Sequence, residues 1–311
     1  MSDLRQMPLF PNQPSSPEEI NRHTPLGATF ELFAQYLIKE GKSEHTVKAF
    51  IADLKLLATY AQDDTPIGHF TTTSLNQFLH WLEFERGVPC SRKSYARRVT
   101  TLKVFFKWLR GIGSIPDDPA APVLQRSGPA PLSHVLSPEQ VHAARRFASG
   151  MKRGDEIDYR PEMLFMLLLE TGIKKSEAMR LTYSDIDRLN PERPKIVVRH
   201  KVRNVYKERI IDVSREWVEL LDLYWRQYHP KDTIFTCTAR NLEYILTDIG
   251  EGAEIPFKLS FEVMRWTCGV RDYLAGMDEE AIREKLGLSE ASWYETGRKI
   301  KILASQIQSE N

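Results

Sequence analysis

The sequence is poor in cysteine, in long apolar runs and in any excess of one charge. Its three cysteines, Cys90, Cys237 and Cys268, lie far apart, without CxxC spacing or nearby histidine pairs, so neither a disulfide framework nor a zinc site is indicated. No stretch approaches the roughly 18 apolar residues that a membrane span needs, and the amino-terminal segment lacks the apolar core of a signal peptide. We therefore expect a cytoplasmic protein with reduced thiols.

Charge is balanced over the whole chain. The 311 residues carry 43 Lys plus Arg against 42 Asp plus Glu, a net charge of +1, so the total says little about partners. A chain of this length accommodates two domains, each with its own core. A surface for nucleic acid must come from local clusters of basic residues.

The first part of the chain is predicted to contain an arm, a helical domain and a linker. Residues 1–25 are rich in Pro, Ser, Asn and Gln and lack an apolar period, which predicts a flexible arm. Apolar residues at helical spacing predict a helical domain over residues 26–115, with four helices near 29–40, 43–60, 72–82 and 91–109. Six prolines lie between Gly111 and Gln140, so residues 116–135 are predicted to be a linker.

The second part, residues 136–300, is predicted to combine helices with a small sheet. Ser137, followed by Pro138 and by Gln140 at the third helical position, is typical of a helix start. β-branched runs at 195–198 and 208–213 flank a basic segment, which predicts a β-hairpin with a basic tip. Apolar periodicity predicts helices on both sides of this hairpin. The fold class that follows is mainly α with a small β-sheet.

One predicted helix of the first domain has a basic face. Between Arg86 and Arg110 the chain holds eight basic residues and no acidic one, interleaved with apolar residues such as Tyr95, Phe105 and Trp108. A solvated helix face usually mixes both signs, because oppositely charged pairs one turn apart stabilise it. We therefore favour a helix that contacts DNA phosphates over an ordinary solvated surface.

The order of elements and two segments resemble the tyrosine recombinase (phage integrase, Xer-type) family. The segments are LLLETGIKKSEAMRLTYSDID at 167–187 and SFEVMRWTCGVRDYLAGMDEEAIREKLGLSE at 260–290, with the basic hairpin between them. The resemblance implies a helical SAM-like core-binding domain and a mixed α/β catalytic-type domain that together clamp duplex DNA. It also implies a nucleoid-associated location and strand cleavage through a 3′-phosphotyrosine, with no metal or other cofactor.

In that family a tyrosine hydroxyl attacks the phosphodiester, two arginines hold the nonbridging oxygens, and a lysine protonates the departing oxygen. The family motif TGLRxSEL appears here as TGIKKSEA, which places Lys174 where the first arginine stands. Lys174 lacks the guanidinium fork that contacts two phosphate oxygens at once. The segment HKVRNVYKER places Lys201 at the hairpin lysine, although a plain basic hairpin that touches phosphates explains it equally well.

The remaining family positions lie in the second segment. The HxxR block keeps Arg265, but Glu262 and Leu288 stand at the two histidine positions. A carboxylate repels phosphate unless it is paired or protonated, and leucine donates no hydrogen bond. The family spacing places the nucleophile at Gly297, and Tyr294 lies three residues earlier, nearly one helical turn away. For Tyr294 we favour a packing role over that of a shifted nucleophile.

These replacements favour a catalytically degenerate protein, a pseudoenzyme that binds double-stranded DNA in recombination, integration or a mobile-element complex. The alternative is an active site-specific recombinase that uses Lys201, Arg265, Lys174 and Tyr294. A third hypothesis is an interaction protein that no longer binds DNA. The predicted DNA contacts are the basic residues of the basic helix and of the second domain: Arg92, Lys93, Arg97, Arg98, Lys103, Lys107, Lys175, Arg199, Arg203, Lys207 and Arg209.

The carboxyl-terminal tail, residues 301–311, continues a run of apolar residues at helical spacing. The resemblance implies that the tail docks on a neighbouring subunit, which would make the protein a homo-oligomer. Packing of the tail on its own domain is the other hypothesis, and the sequence leaves both open.

Overall fold

The computed structural model describes residues 14–125, 131–202 and 205–310. Its contacts divide the chain into two compact units, Met1–Pro129 and Ala130–Asn311. Helices dominate both units, and a three-stranded sheet lies in the second. The predicted fold class, mainly α with a small β-sheet, is therefore confirmed. Within the described ranges, no helix is long and apolar enough to cross a membrane.

Four helices make up most of the first unit: α1 (Phe30–Lys39), α2 (Glu44–Ala61), α3 (Thr72–His80) and α4 (Arg92–Gly111). Side-chain hydroxyls cap the starts of three of them, because Ser43, Thr71 and Ser91 each accept a hydrogen bond from a first-turn amide. The apolar faces meet in one core, in which the ring of Phe33 packs edge-on against that of Phe105 at 5.0 Å between centroids.

Two segments outside these helices also pack on the first unit. Ile20, within the predicted arm, is 4% exposed, and its carbonyl accepts a hydrogen bond of 3.0 Å from the Ser114 hydroxyl. Ala120 and Val123, within the predicted linker, belong to the same core. The structure thus differs from the predicted arm over residues 14–25, since one well-placed apolar side chain anchors an otherwise polar segment. The rest of the arm, and linker residues 126–130, lie outside the described residues.

The second unit is built around a buried helix, α6. Its side chains are apolar from Met163 to Leu169 and all are buried, so it packs against helices on several sides. The helices of this unit are α5 (Pro138–Gly150), α6 (Tyr159–Thr171), α7 (Lys175–Ala178), α8 (Arg215–Tyr228), α9 (Ala239–Gly252), α10 (Phe261–Leu274), α11 (Glu279–Lys285) and α12 (Glu290–Glu310).

Two small antiparallel sheets complete the second unit. The first pairs β1 (Lys152–Arg153) with β2 (Glu156–Ile157). The second has the order β3 (Ile186–Asp187), β4 (Lys195–Val202) and β5 (Val205–Asp212). In it, β4 and β5 form the expected hairpin, with Lys195 opposite Asp212 and Lys201 opposite Tyr206.

Helix α12 continues through the predicted tail to Glu310. Ile300, Leu303 and Ala304 are buried in a cluster with residues of α10 and α11, including Val270 and Ile282. In this single chain, residues 301–310 are therefore the end of a helix that packs on its own unit.

Candidate functional site

The loop that follows α6 holds Lys174 beside a buried carboxylate. α6 ends at Gly172, whose backbone is left-handed (φ 57°), and Lys174 is the residue just before α7. The side chain of Glu177 turns back and accepts a hydrogen bond of 2.8 Å from the Lys174 amide, an arrangement that satisfies a free amide at a helix start. Glu177 is only 4% exposed, so its charge requires a partner.

Arg209 of β5 is that partner. Its Nη1 and Nη2 donate to the two carboxylate oxygens of Glu177 at 3.0 and 2.7 Å, and its Nε donates to the carbonyl of Lys285 at 2.8 Å. Gly287, with φ 58°, leaves room for this guanidinium, since a Cβ there would lie 2.9 Å from Nη1. Arg209 therefore joins α7, β5 and the turn after α11.

Arg265 of α10 joins the same two loops from another side. Its Nη1 donates to the Gly172 carbonyl at 2.5 Å, and its Nη2 donates to the Leu286 carbonyl. Burial lowers the pKa of Arg265 from its ordinary value; Glu177 opposes that shift and Arg209 adds to it. A guanidinium keeps its charge throughout the accessible pH range, so Arg265 is a fixed cation here.

Lys174 faces this group of cations. The residue as a whole is exposed, but the protein around its ammonium group partly desolvates that group, and this desolvation lowers the pKa of Lys174. The carboxylate of Glu177 raises the pKa of Lys174, and the charges of Arg265 and Arg209 lower it further. For Glu177, burial alone would raise the pKa, but the hydrogen bonds and charge of Arg209 outweigh it and the net pKa is lowered. Three cations around one buried carboxylate leave net positive charge, which suits an anion such as phosphate.

The position that the family spacing assigns to the nucleophile is a glycine, and the ring of Trp293 packs closely against it. Gly297 is buried in the second turn of α12, and a Cβ added to it would lie 2.9 Å from Cε2 of Trp293. Trp293 packs on the cluster formed by α10, α11 and α12, as does Leu288. Both Gly297 and Leu288 are therefore packing positions in this fold.

Tyr294 lies on the solvent side of α12. Its side chain is 83% exposed, so the packing role favoured from the sequence is wrong. The reason is the neighbouring residue, because Trp293 is the aromatic that turns toward the core. Glu262, at the first histidine position, is exposed in the first turn of α10.

Part of the basic face of α4 is used inside the first unit. Arg97 donates to both oxygens of Asp53 at 2.9 and 2.7 Å. Arg98 is 8% exposed, lies 3.6 Å from the same carboxylate through its Nε, and donates to Sγ of Cys90 at 2.7 Å. Asp53 is itself buried on α2. The prediction that Arg98 contacts DNA is contradicted by its burial, and Arg97 is engaged as an internal ion pair.

The other predicted DNA contacts fall into three groups. Arg92, Lys93, Lys107 and Lys207 are exposed, with no ion-pair partner in the described part of the chain. Lys103 donates to the Ala121 carbonyl at 3.4 Å, Lys175 pairs with Glu243 at 3.1 Å, and Arg199 pairs with Asp185 and Glu208. Arg203 and the side chain of Lys201 lie outside the described residues.

Glu177 and Asp53 are the residues that the sequence argument missed. A glutamate three residues after Lys174, at the start of a helix, matches a capping box. The hydrogen bond between the Lys174 amide and Glu177 could therefore have been predicted from the sequence. The pairing of Glu177 with Arg209 could not, because Arg209 lies 32 residues away. Among the residues the structure describes, no three His, Cys, Asp or Glu side chains converge as metal ligands would.

Comparison with known proteins identifies the family. Residues 134–295 match the phage integrase family and residues 30–111 match the phage integrase N-terminal SAM-like domain. The chain therefore belongs to the phage integrase family. It is 30% identical over 165 residues to tyrosine recombinase XerC of Mycobacterium sp. (strain KMS), a match that covers 51% of this chain and 54% of that protein. The chain thus matches about half the length of this relative.

Two solved structures share the fold. A lambda integrase dimer bound to a COC′ core site superposes with a TM-score of 0.70 at 15% identity, covering 93% of this chain and 83% of that one. The XerH recombinase bound to a palindromic difH substrate gives a TM-score of 0.70 at 15% identity, with coverage of 91% and 83%. At this identity the likeness shows the fold alone.

Proposed function

We propose that this chain binds duplex DNA through phosphate contacts and does not cleave it. The observation that carries the proposal is the buried Gly297, packed against the ring of Trp293, because the family position of the nucleophile has no hydroxyl in this chain. Lys174, Glu262 and Leu288 replace three further groups that strand cleavage uses. Without a nucleophile the phosphodiester stays intact, while cations still attract phosphate.

The DNA-binding part of the proposal rests on exposed cations and on the relatives. Arg92, Lys93 and Lys107 of α4 and Lys207 of β5 are exposed and unpaired within the described ranges. The lambda integrase and XerH structures that share the fold hold DNA, as their descriptions state. We assign this chain a role as a DNA-binding subunit in recombination, integration or a mobile-element complex.

Salt dependence tests the phosphate contacts. Fluorescence anisotropy with a labelled duplex should show that log affinity falls with log salt concentration, with a slope of about −0.9 per contacted phosphate. Lys107→Gln should make the slope less negative by about 0.9, whereas Lys55→Gln, which removes an exposed cation from α2, should leave it unchanged. Binding that does not depend on salt would contradict the proposal.

The exposure of Tyr294 supports a second candidate, an active recombinase with a shifted nucleophile. A hydroxyl on a side chain that is 83% exposed is accessible to a DNA phosphate. A nicked suicide duplex traps a covalent protein–DNA adduct if this tyrosine attacks. We expect no adduct from the wild type or from Tyr294→Phe; an adduct that only the wild type forms would establish cleavage.

The family likeness also supports an oligomer. Two of the solved lambda integrase structures are described as a dimer and as a tetramer. We propose that copies of this chain associate on DNA through the exposed side of α12, where Ile302 is 39% exposed. On a shared duplex, Ile302→Glu should reduce the assembled fraction in size-exclusion chromatography, and an unchanged profile would exclude α12 as the contact.

A further inference from the structure

The outer edge of β5 lies open in a groove. The sheet order β3, β4, β5 leaves that edge without a partner strand among the described residues. A groove of about 880 Å³ runs along it, with residues 207–212 of β5 on one wall and residues of α11 and its following turn on the other. An unpaired strand edge presents a row of backbone donors and acceptors that another extended chain can match.

The register shows which backbone groups face the groove. The Val213 amide donates to the Pro194 carbonyl at 3.0 Å, so this pair belongs to the bonded positions of the β4–β5 ladder. Bonded and non-bonded pairs alternate in an antiparallel ladder. The N–H and C=O groups of Glu208, Ile210 and Asp212 therefore point away from β4, toward the open edge, and form a pattern that an extended peptide can complete.

The side chains beside this edge select the kind of peptide. At the centre, Ile210 is 64% exposed and Met277 is 38% exposed, which gives the groove an apolar middle. Charges that usually protect an edge strand are neutralised here, because Glu208 pairs with Arg199 at 2.8 Å and Asp212 pairs with Arg193 at 3.1 Å.

The unpaired charge in the groove is positive. Lys195 and Lys207 line it, one toward each end of the edge, and neither has an ion-pair partner in the described ranges. Two unpaired cations favour acidic side chains in the incoming segment.

We propose that this groove binds an extended segment of a partner protein, with an apolar residue at its centre and acidic residues toward both ends, which adds to the sheet as a strand beside β5. Strand addition of this kind obtains affinity from main-chain hydrogen bonds and specificity from alternate side chains. The proposal does not depend on DNA binding, because a nucleic acid has no backbone that matches the N–H and C=O pattern of a strand.

The probe is a short fluorescein-labelled peptide, Glu-Glu-Val-Ile-Val-Glu-Glu, added to the full chain and followed by fluorescence anisotropy. The same peptide with alternate backbone nitrogens methylated keeps every charge and removes the strand donors. A third peptide carries lysine in place of each glutamate. We expect saturable binding of the first peptide, and binding about tenfold weaker or worse for the other two.

Two variants locate the binding to the groove. Ile210→Pro removes an outward N–H and no ladder bond, a position where an edge strand tolerates proline. Ile210→Asp keeps the backbone and replaces the apolar centre with a charge; its matched control is Leu189→Asp, which alters an apolar residue that is 94% exposed and outside the groove. Both Ile210 variants should weaken binding about tenfold while the control binds as the wild type does.

Several outcomes overturn the proposal. Equal binding of the methylated or the lysine peptide would show that main-chain pairing or charge plays no part. Absence of binding by the acidic peptide would also refute it. If the Ile210 variants lose affinity for duplex DNA while no peptide binds, the groove belongs to the DNA surface instead.

Discussion

Glu177→Gln should destabilise the second unit strongly, because it leaves the buried guanidinium of Arg209 without its counter-charge. The two side chains are 3% and 8% exposed and share two hydrogen bonds of 3.0 and 2.7 Å. Glutamine keeps the shape and one acceptor oxygen but removes the charge. Breaking a buried pair from one side costs about 3–5 kcal/mol, so the free energy of unfolding of this unit should fall by about that much.

Hydrogen exchange measured on peptides from α7 and β5 reports the stability of the second unit separately from that of the first. The control is Glu219→Gln, which removes a carboxylate that pairs with Arg215 on the surface of α8 in the same unit, where exposed pairs contribute little. If Glu177→Gln costs no more than this control, the guanidinium is stabilised by its other contacts and the reasoning about the pair is wrong.

The same pair predicts a pH dependence. Because Arg209 holds the pKa of Glu177 below its ordinary value, the folded state binds this proton less tightly than the unfolded state does. The stabilisation is fully present above the unfolded pKa and is lost as the pH falls through the folded one. As the pH falls below the pKa that Glu177 has in the unfolded state, the wild type should therefore lose protection from hydrogen exchange in α7 and β5. Glu177→Gln should already lack this protection at neutral pH.

Three further predictions concern single positions. Asp53→Asn should lower the free energy of unfolding of the first unit by about 3 kcal/mol, since it leaves a buried guanidinium unpaired; hydrogen exchange on α2 measures it. Lys174 should titrate below its ordinary pKa in the free protein and move upward when duplex DNA is added, because phosphate stabilises the ammonium; NMR of labelled lysine follows both. Gly297→Ala should cost about 1–3 kcal/mol by overpacking, and less in a Trp293→Ala background. Gly150→Ala in α5 of the same unit, where a Cβ meets no atom within 4 Å, is its control in thermal unfolding.

The elements that the sequence predicted are those with a local cause. The helices follow from apolar periodicity and from hydroxyl caps such as Ser43 and Ser91, and the hairpin follows from two β-branched runs. β1, β2 and β3 contain two residues each, too few to show any period. Short strands of this kind form because a neighbouring segment offers hydrogen bonds.

The candidate site was predicted only in part, because its decisive contacts are distant in the chain. The quoted motifs contain both Lys174 and Arg265, and in the structure Arg265 donates to the loop that carries Lys174. Arg97 and Asp53 are 44 residues apart in the chain, and the sequence around Arg97 contains no signal that predicts their pairing. The exposure of Tyr294 depends on which of the adjacent aromatics Trp293 and Tyr294 faces the core, and this is determined by how α12 packs on its unit.

The two carbonyl contacts of Arg265 bear on how the site would change when it is filled. Ordering a long side chain on binding costs roughly 0.5–1.5 kcal/mol, and Arg265 is already held by its hydrogen bonds to the carbonyls of Gly172 and Leu286. A guanidinium has further N–H groups beyond those two, so it can receive an anion without changing rotamer. The loops on either side are therefore preorganised: binding of an anion at Arg265 should leave their shape unchanged.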